Sequence, residues 1–475
     1  MKWDKACTTV LVGKKASVDG SVMVARNDDT FLPITPQKFE MKPAANGRHE
    51  ELASTQNGFK APLPESGYRY QATPNVDVQS EGIYDESGFN EKNVAMSATE
   101  SVYANEKVLA YDPLLPDGMA EDTMQTMVLP FINSAKEGVE YLGKLVAKYG
   151  SPEGNGVIFA DKNDIWYMEI VTGHHWVASR IPDDAYVVAA NQVGQEQIDF
   201  DDPDNFMWSD GIREFVDEHH LNPDKTGWNF RHIFGTDTEK DRYYNTPRVW
   251  FAQRYLNPEI EQDPESSDLP FINHANRLIS VEDVEYIEGS HYNETKYDPL
   301  GHGSDEDKLR YRAISLNRTQ QSHVLQIRND VPEALSAVMW ICIGIPAFTP
   351  YLPFYANATD TDPSYSNTSM TYNVKDAYWM YRTVSMLTES HYSHFVQDDV
   401  DYLKDCREEL RRLMDGIDKE AQAKGLTGNA LTAYLTEQNH HIVDVMRDKT
   451  MAIIGHFVTE GLNRSKLTFD FDINL

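Results

Sequence analysis

Cysteine is scarce in this sequence, with three in 475 residues, at Cys7, Cys342 and Cys406. They are too few and too far apart for a disulfide framework, and no Cys-x-x-Cys pair offers a zinc site. Long apolar runs are missing too. No stretch of about 20 apolar residues occurs, so no membrane span is expected. The opening Met1-Lys2-Trp3-Asp4-Lys5-Ala6 leads into a short apolar run stopped by Lys14-Lys15, which is too short for a signal peptide. There is no P-loop and no Gly-x-Gly-x-x-Gly fingerprint. The acidic stretch Asp199–Asp204 lacks the glycine and final glutamate of a calcium loop. His174-His175 and the His391/His394 pair supply too few ligands for zinc. No metal and no cofactor are therefore expected. Basic residues are few as well: 43 Lys and Arg against 75 Asp and Glu, a net charge of −32. Such an excess repels phosphate backbones and argues against nucleic acid as a partner. What remains is a chain with 40% hydrophobic and 11% aromatic residues, enough for a large buried core. Its spare thiols suit a reducing compartment, and the cytoplasm is the expected location.

The order of elements favours an α+β layered fold over a doubly wound one, because strands and helices come in blocks without βαβ alternation. Residues 7–13 and 22–26, around the Val18-Asp19-Gly20 turn, read as a hairpin beginning at Cys7. Its antiparallel return brings Arg26, Asn27, Asp28 and Asp29 back beside that cysteine. Residues 82–102 predict another strand pair, ending near Glu100. Residues 121–149 read as helical, interrupted at Pro130 and stopped at Gly150. Residues 157–190 read as a four-strand antiparallel meander with turn residues at each break, ending at Asn191. Residues 200–300 are loops with short helices. Ala313–Leu316 and Ser322–Ile327 look like strands, and Pro332–Ile343 like an apolar helix. From Val374 onward the pattern is helical. The expected organisation is a short leader, residues 1–6, and one large domain, residues 7–475, whose part from 374 is mostly helical.

Cys7 is the residue with the most chemistry to offer. A cysteine on an early strand is by itself a small buried apolar residue. If the bond after Ala6 is cut, however, Cys7 acquires a free α-amino group with an unperturbed pKa near ~8. One residue then supplies a thiol nucleophile and a base for its proton. Arg26 would favour thiolate over thiol, and Asp29 could hold the new ammonium group. The plainer reading of that pair is an ion pair closing a hairpin.

Several further segments carry a resemblance. They are Ala-Cys-Thr-Thr-Val-Leu-Val-Gly-Lys-Lys-Ala-Ser at 6–17, Ala-Arg-Asn-Asp-Asp at 25–29, and Gly-Phe-Asn-Glu-Lys-Asn-Val-Ala-Met-Ser-Ala-Thr-Glu at 88–100. Ala-Asn-Gln at 190–192, Tyr-Asn-Thr-Pro-Arg-Val-Trp at 244–250 and Ser-Leu-Asn-Arg-Thr-Gln-Gln-Ser-His at 315–323 follow in order. Together they resemble the dipeptidase A family of cysteine peptidases, which is similar to penicillin V acylase and bile salt hydrolase in its N-terminal-nucleophile machinery. The resemblance implies an αββα four-layer sandwich with extra C-terminal helices. It implies Cys7 as nucleophile, with Arg26, Asp29, Asn191 and Arg248 as the rest of the catalytic set and Asn191 as an oxyanion donor. Arg248 is also readable as a charge at a helix start after Pro247. At Glu100 the chain departs from the acylases, which carry an asparagine there. A carboxylate cannot donate to an oxyanion unless protonated, but it can receive a substrate ammonium group. Glu100 and Asp28 are thus the expected substrate-binding carboxylates, and the expected substrate is a dipeptide with a free amino end. A homo-oligomer is the expected assembly. Two alternatives stay open: an N-acyl amidase of the penicillin or bile-salt type, and a non-catalytic peptide binder that keeps its leader.

Overall fold

The computed structural model describes residues 6–464, apart from the side chains of Ala6, Thr99 and Glu100. The leader Met1–Ala6 thus lies outside the described residues except for the backbone of Ala6. The chain opens with β1 (Ala6–Val12) and β2 (Val22–Asp29), paired antiparallel. Threonine and valine on both strands suit a pleated surface. The connection turns at Gly20, whose φ of 74° lies in the left-handed region that glycine adopts without cost. Then come β3 (Ser87–Phe89), β4 (Ala95–Ser101), α1 (Glu121–Val128) and α2 (Ala135–Tyr149). The Ser134 hydroxyl caps α2 by accepting from the Glu137 N–H, and Gly150 ends it. Next are β5 (Asn155–Ala160), β6 (Ile165–Ile170), β7 (Trp176–Ile181), β8 (Tyr186–Ala189) and β9 (Phe206–Trp208). The second half holds α3 (Thr246–Leu256), β10 (Ile272–Asn273), α4 (Val281–Glu288), β11 (Thr319–Ile327), β12 (Ala337–Cys342) and β13 (Leu352–Tyr355). It closes with α5 (Ala377–Ser390), α6 (Tyr392–Ala423) and α7 (Gly428–Arg464). Among the described residues no helix is long and apolar enough to cross a membrane.

The strands form two main sheets. One has seven strands in the order β10-β8-β1-β2-β11-β12-β13, the other six in the order β9-β7-β6-β5-β4-β3. They meet face to face where β1 and β2 pack on β4 and β5. Helices α1 and α2 cover the outer face of the six-stranded sheet, and α4 covers β1, β2 and β11 on the outside of the other. The result is a four-layer α–β–β–α arrangement, with α5, α6 and α7 packed on one another and α6 and α7 against β13. A strand covered on both faces has no solvent side, so β2 is buried at every position. Its first half, Val22–Ala25, is ordinary core. Its second half is Arg26, Asn27, Asp28 and Asp29, at 0, 0, 4 and 0% exposure. Burying four consecutive polar groups is costly unless each finds a partner.

Three expectations from the sequence change. The predicted meander is broken at its last turn, because β8 leaves β7 and joins the other sheet beside β1. The Pro182-Asp183-Asp184 break is therefore a crossing between layers and not a hairpin. The predicted helix over 332–343 is one short turn, Glu333–Ser336, followed by strand β12. Ala337–Cys342 is apolar and buried throughout, so periodicity could not separate helix from strand; Val338, Trp340 and Ile341 favour the strand. Ala313–Leu316 forms no strand, whereas the second predicted strand is longer than expected, beginning at Thr319.

Candidate active site

The crossing of β8 brings the site together. Thr9 of β1 faces Ala189 of β8, and continuing that register by two residues sets Asn191 opposite Cys7. The Cys7 backbone N–H donates to Asn191 Oδ1 at 3.2 Å across 184 residues of chain. The Asn191 side-chain amide donates to the Ser101 carbonyl at 3.0 Å. Its oxygen meets two N–H donors and its nitrogen a carbonyl, so the amide has one sensible orientation. Among the described residues its second N–H has no acceptor. The loop after Asn191 is pinned by Glu169, which accepts from the Gly194 N–H at 2.7 Å and from Gln195. Burial pushes the Glu169 carboxyl up to about 7.

Arg26 reaches Cys7 diagonally across the hairpin ladder, where Cys7 faces Asp28 and Thr9 faces Arg26. Its Nη1 donates to the Cys7 sulfur at 3.1 Å. Its Nε donates to Ser97 Oγ at 3.0 Å, and its Nη2 to the Ala98 carbonyl at 2.9 Å and to the Glu86 carboxylate. Burial acts against the guanidinium charge. Glu86, Cys7, Asp28 and Glu121 outweigh it and hold Arg26 well above its ordinary value. A permanent cation against sulfur favours the thiolate. Beyond Ser97 the network continues to His323, with Nε2 at 2.9 Å from the hydroxyl and Nδ1 at 3.1 Å from Gln321 Oε1. Burial, and then the charge of Arg26, keep this imidazole neutral by pushing it well below its usual value.

Arg248 clamps the other side. It sits in the first turn of α3 after Pro247, fully buried, with its fork spread over the site. It donates to the Cys7 carbonyl, to Thr8 Oγ1 at 3.0 Å, to Asn191 Oδ1 at 2.8 Å, to Asn245 Oδ1 at 2.8 Å and to the Tyr244 carbonyl at 2.8 Å. Its burial and these partners make it far more than a charge at a helix start.

Cys7, Arg26, Asn191 and Arg248 therefore form one connected group. Asp29 stands apart from the sulfur. It faces Ala6 in the ladder, one step along the pleat from Asp28, so its side chain is on the opposite face from Cys7. There it accepts from Arg312 and from the Thr319 hydroxyl. Asp28 accepts from Gln37 Nε2 and lines a cavity of about 590 Å³. Glu86 and Ser101 line that cavity too, so it opens beside the cluster, while Cys7 itself is only 1% exposed. The predicted Glu100 side chain lies outside the described residues; its backbone faces Gly156 of β5, next to a ladder irregularity. The sequence reading missed Glu86, Ser97, His323 and Asn245. For Ser97 and His323 the signal was polar type on a buried strand, as in Thr-Gln-Gln-Ser-His at 319–323, whereas Glu86 and Asn245 lie outside the strands, and which elements face one another had to be known first.

Comparison with known proteins adds to this geometry. Residues 6–405 match peptidase family C69. A probable dipeptidase from Latilactobacillus sakei is 58% identical over 472 residues, covering 99% of this chain and 98% of that protein. Dipeptidase A from Lactobacillus helveticus is 40% identical over 470 residues, covering 98% of both. A solved structure of a mutant conjugated bile acid hydrolase from Clostridium perfringens is 12% identical, covering 71% of this chain and 88% of that one, with a TM-score of 0.32. At that score the likeness decides nothing about this chain.

Proposed function

The chain belongs to peptidase family C69, and on that footing we propose that it is a cysteine dipeptidase that acts through its own N-terminus once the Ala6–Cys7 bond is cut. One observation carries the reading: the Cys7 nitrogen is held on Asn191 Oδ1 at 3.2 Å while the sulfur of the same residue takes a donor from Arg26. As a peptide nitrogen it is not basic. Freed from Ala6, it becomes an amine already positioned beside the thiol.

The reaction is acyl transfer. Cys7 Sγ attacks the scissile carbonyl carbon and its proton passes to the α-amine. The oxygen gains the negative charge and receives the second N–H of Asn191, a contact of the kind that lowers a barrier by roughly 3–4 kcal/mol. When the C–N bond breaks, the leaving amino acid takes the proton from the ammonium. Water then attacks the thioester, gives a proton to the amine, and the thiolate leaves. Arg26 stabilises the thiolate as it forms for attack and again as it leaves the thioester. Arg248 holds the Cys7 carbonyl and Asn191 in place. Asp28, on the cavity wall, and Glu100 are the proposed partners of the substrate's ammonium group. Asp29 acts at one remove, by fixing the end of β2 through Arg312 and Thr319. Three thiols without disulfide partners support a cytoplasmic setting.

Intact-mass measurement and a substrate pair test the proposal. A mass lacking residues 1–6, with hydrolysis of Leu-Leu and not of N-acetyl-Leu-Leu, is expected. The full-length mass with no dipeptide hydrolysis overturns it, and cleavage of the acetylated compound alone would favour the amidase.

A further inference from the structure

The cavity beside the thiol has a charge bias that peptide cleavage alone does not require. Asp28, Glu81, Glu86, Glu121 and Glu153 line it, and among the described residues no lysine, arginine or histidine does. Glu86 is committed to Arg26. Glu121 opens α1 and Glu153 follows α2, and the Glu121 backbone N–H donates to Glu153 Oε1 at 2.8 Å. The Glu153 carboxylate is thus held at the start of α1, and both glutamates line the cavity. A second observation points to a cationic ligand. Gln37 is 1% exposed and lines the same cavity. Its Nε2 donates to Asp28 and, at 3.4 Å, to Asn75, which fixes the orientation of the amide. Its Oε1 is left buried with no partner among the described residues. An orphaned acceptor beside a carboxylate is satisfied by a donor carrying positive charge. Leu109, Leu114 and Val171 give the cavity an apolar side as well. That combination suits an aliphatic stem ending in an ammonium.

We propose that this cavity selects the charge of the substrate's amino-terminal residue, accepting cationic and neutral side chains and rejecting anionic ones, with Glu121 and Glu153 as the deciding residues. The inference rests on the dipeptidase reading above. Its physical basis is repulsion inside a concave site, where low-dielectric walls strengthen the field and an anionic side chain would be buried against like charge.

The test compares Lys-Ala with Glu-Ala as substrates of the matured protein. Alongside it, calorimetry measures binding of free L-lysine and L-glutamate, which contain no bond to cut. We expect kcat/KM to be at least about tenfold higher for Lys-Ala, lysine to bind more tightly than glutamate, and both preferences to shrink in about 0.5 M salt. In the double variant Glu121→Gln/Glu153→Gln both ratios should move toward one. Equal turnover of the two dipeptides, or ratios that the double variant leaves in place, overturns the proposal while the dipeptidase reading stands. Preferential lysine binding with no dipeptide turned over does the reverse. Should the double variant fail to fold, the unmodified protein decides, since a preference indifferent to salt is not electrostatic and overturns the proposal.

Discussion

Cys7 and Cys342 lie in the same seven-stranded sheet, on strands separated by two others, and both are buried. Cys7 is 1% exposed and Cys342 0%. Their surroundings differ entirely. Around Cys7 the neighbouring strand ends in charged and amide groups, and a guanidinium donates to the sulfur at 3.1 Å. Around Cys342 the strand is Ala-Val-Met-Trp-Ile-Cys, and the thiol points toward the Gly344 carbonyl at 3.9 Å. Burial pushes the Cys342 thiol well above its ordinary value, and it pushes that of Cys406, on α6, up to about 12. Burial by itself thus makes a thiol inert. A cation and a held nitrogen, equally buried, make the other one a candidate nucleophile.

The largest break in that comparison should come from exchanging the two residues for serine. Cys7→Ser is expected to lower dipeptide turnover by at least about a thousandfold. Cys342→Ser should leave turnover within a few-fold and cost about 1–3 kcal/mol of stability, because a hydroxyl then replaces a thiol in an apolar site. Steady-state kinetics and denaturant unfolding separate the two. Next in size is Asn191→Asp, which keeps the acceptor for the Cys7 nitrogen and removes the donor. It should cut kcat by about a hundred- to a thousandfold with KM little changed. Arg26→Lys keeps the charge but loses the fork that spans sulfur, Ser97, Ala98 and Glu86. It should slow alkylation of Cys7 by iodoacetamide at pH 7 by about tenfold, and peptide mapping should show the difference between Cys7 and Cys342 narrowing. The smallest effect concerns His323. The unfolded chain takes up a proton near its ordinary value of 6.5, which the buried imidazole refuses. Stability contributed by this group is therefore complete above that pH and falls as the pH drops below it, by up to about 1.4 kcal/mol per unit. His323→Gln should flatten that slope in denaturant titrations.

Much of this is legible in the sequence alone. The hairpin from Cys7 to Asp29 declares itself through its Val-Asp-Gly turn, and α2 through its terminal glycine, while its serine cap emerges only in the structure. Cys7, Arg26, Asn191 and Arg248 each stand out in a motif, and the fold brings them into one network. Asp29 keeps its place on the strand but lies on the other face, because the pleat alternates side chains and a spacing of three from Arg26 changes face. The helix expected at 332–343 fails because a run apolar at every position carries no period. The crossing of β8 escapes because Pro-Asp-Asp is good turn chemistry for a hairpin and equally good for leaving a sheet. Ser97, Glu86 and His323 escape because they belong to the site only once the two sheets are stacked.

The contact between Cys7 and Asn191 has a consequence for how the molecule matures. The two residues are 184 positions apart, and Arg248 reaches the Cys7 carbonyl from 241 positions away. Contacts this distant in sequence close late, after loop entropy has been overcome. A leader cut that depended on Asn191 and Arg248 holding the Ala6–Cys7 bond would proceed only on chains whose second half had already docked. Activation would then act as a folding checkpoint, and a nascent or misassembled copy would stay chemically silent.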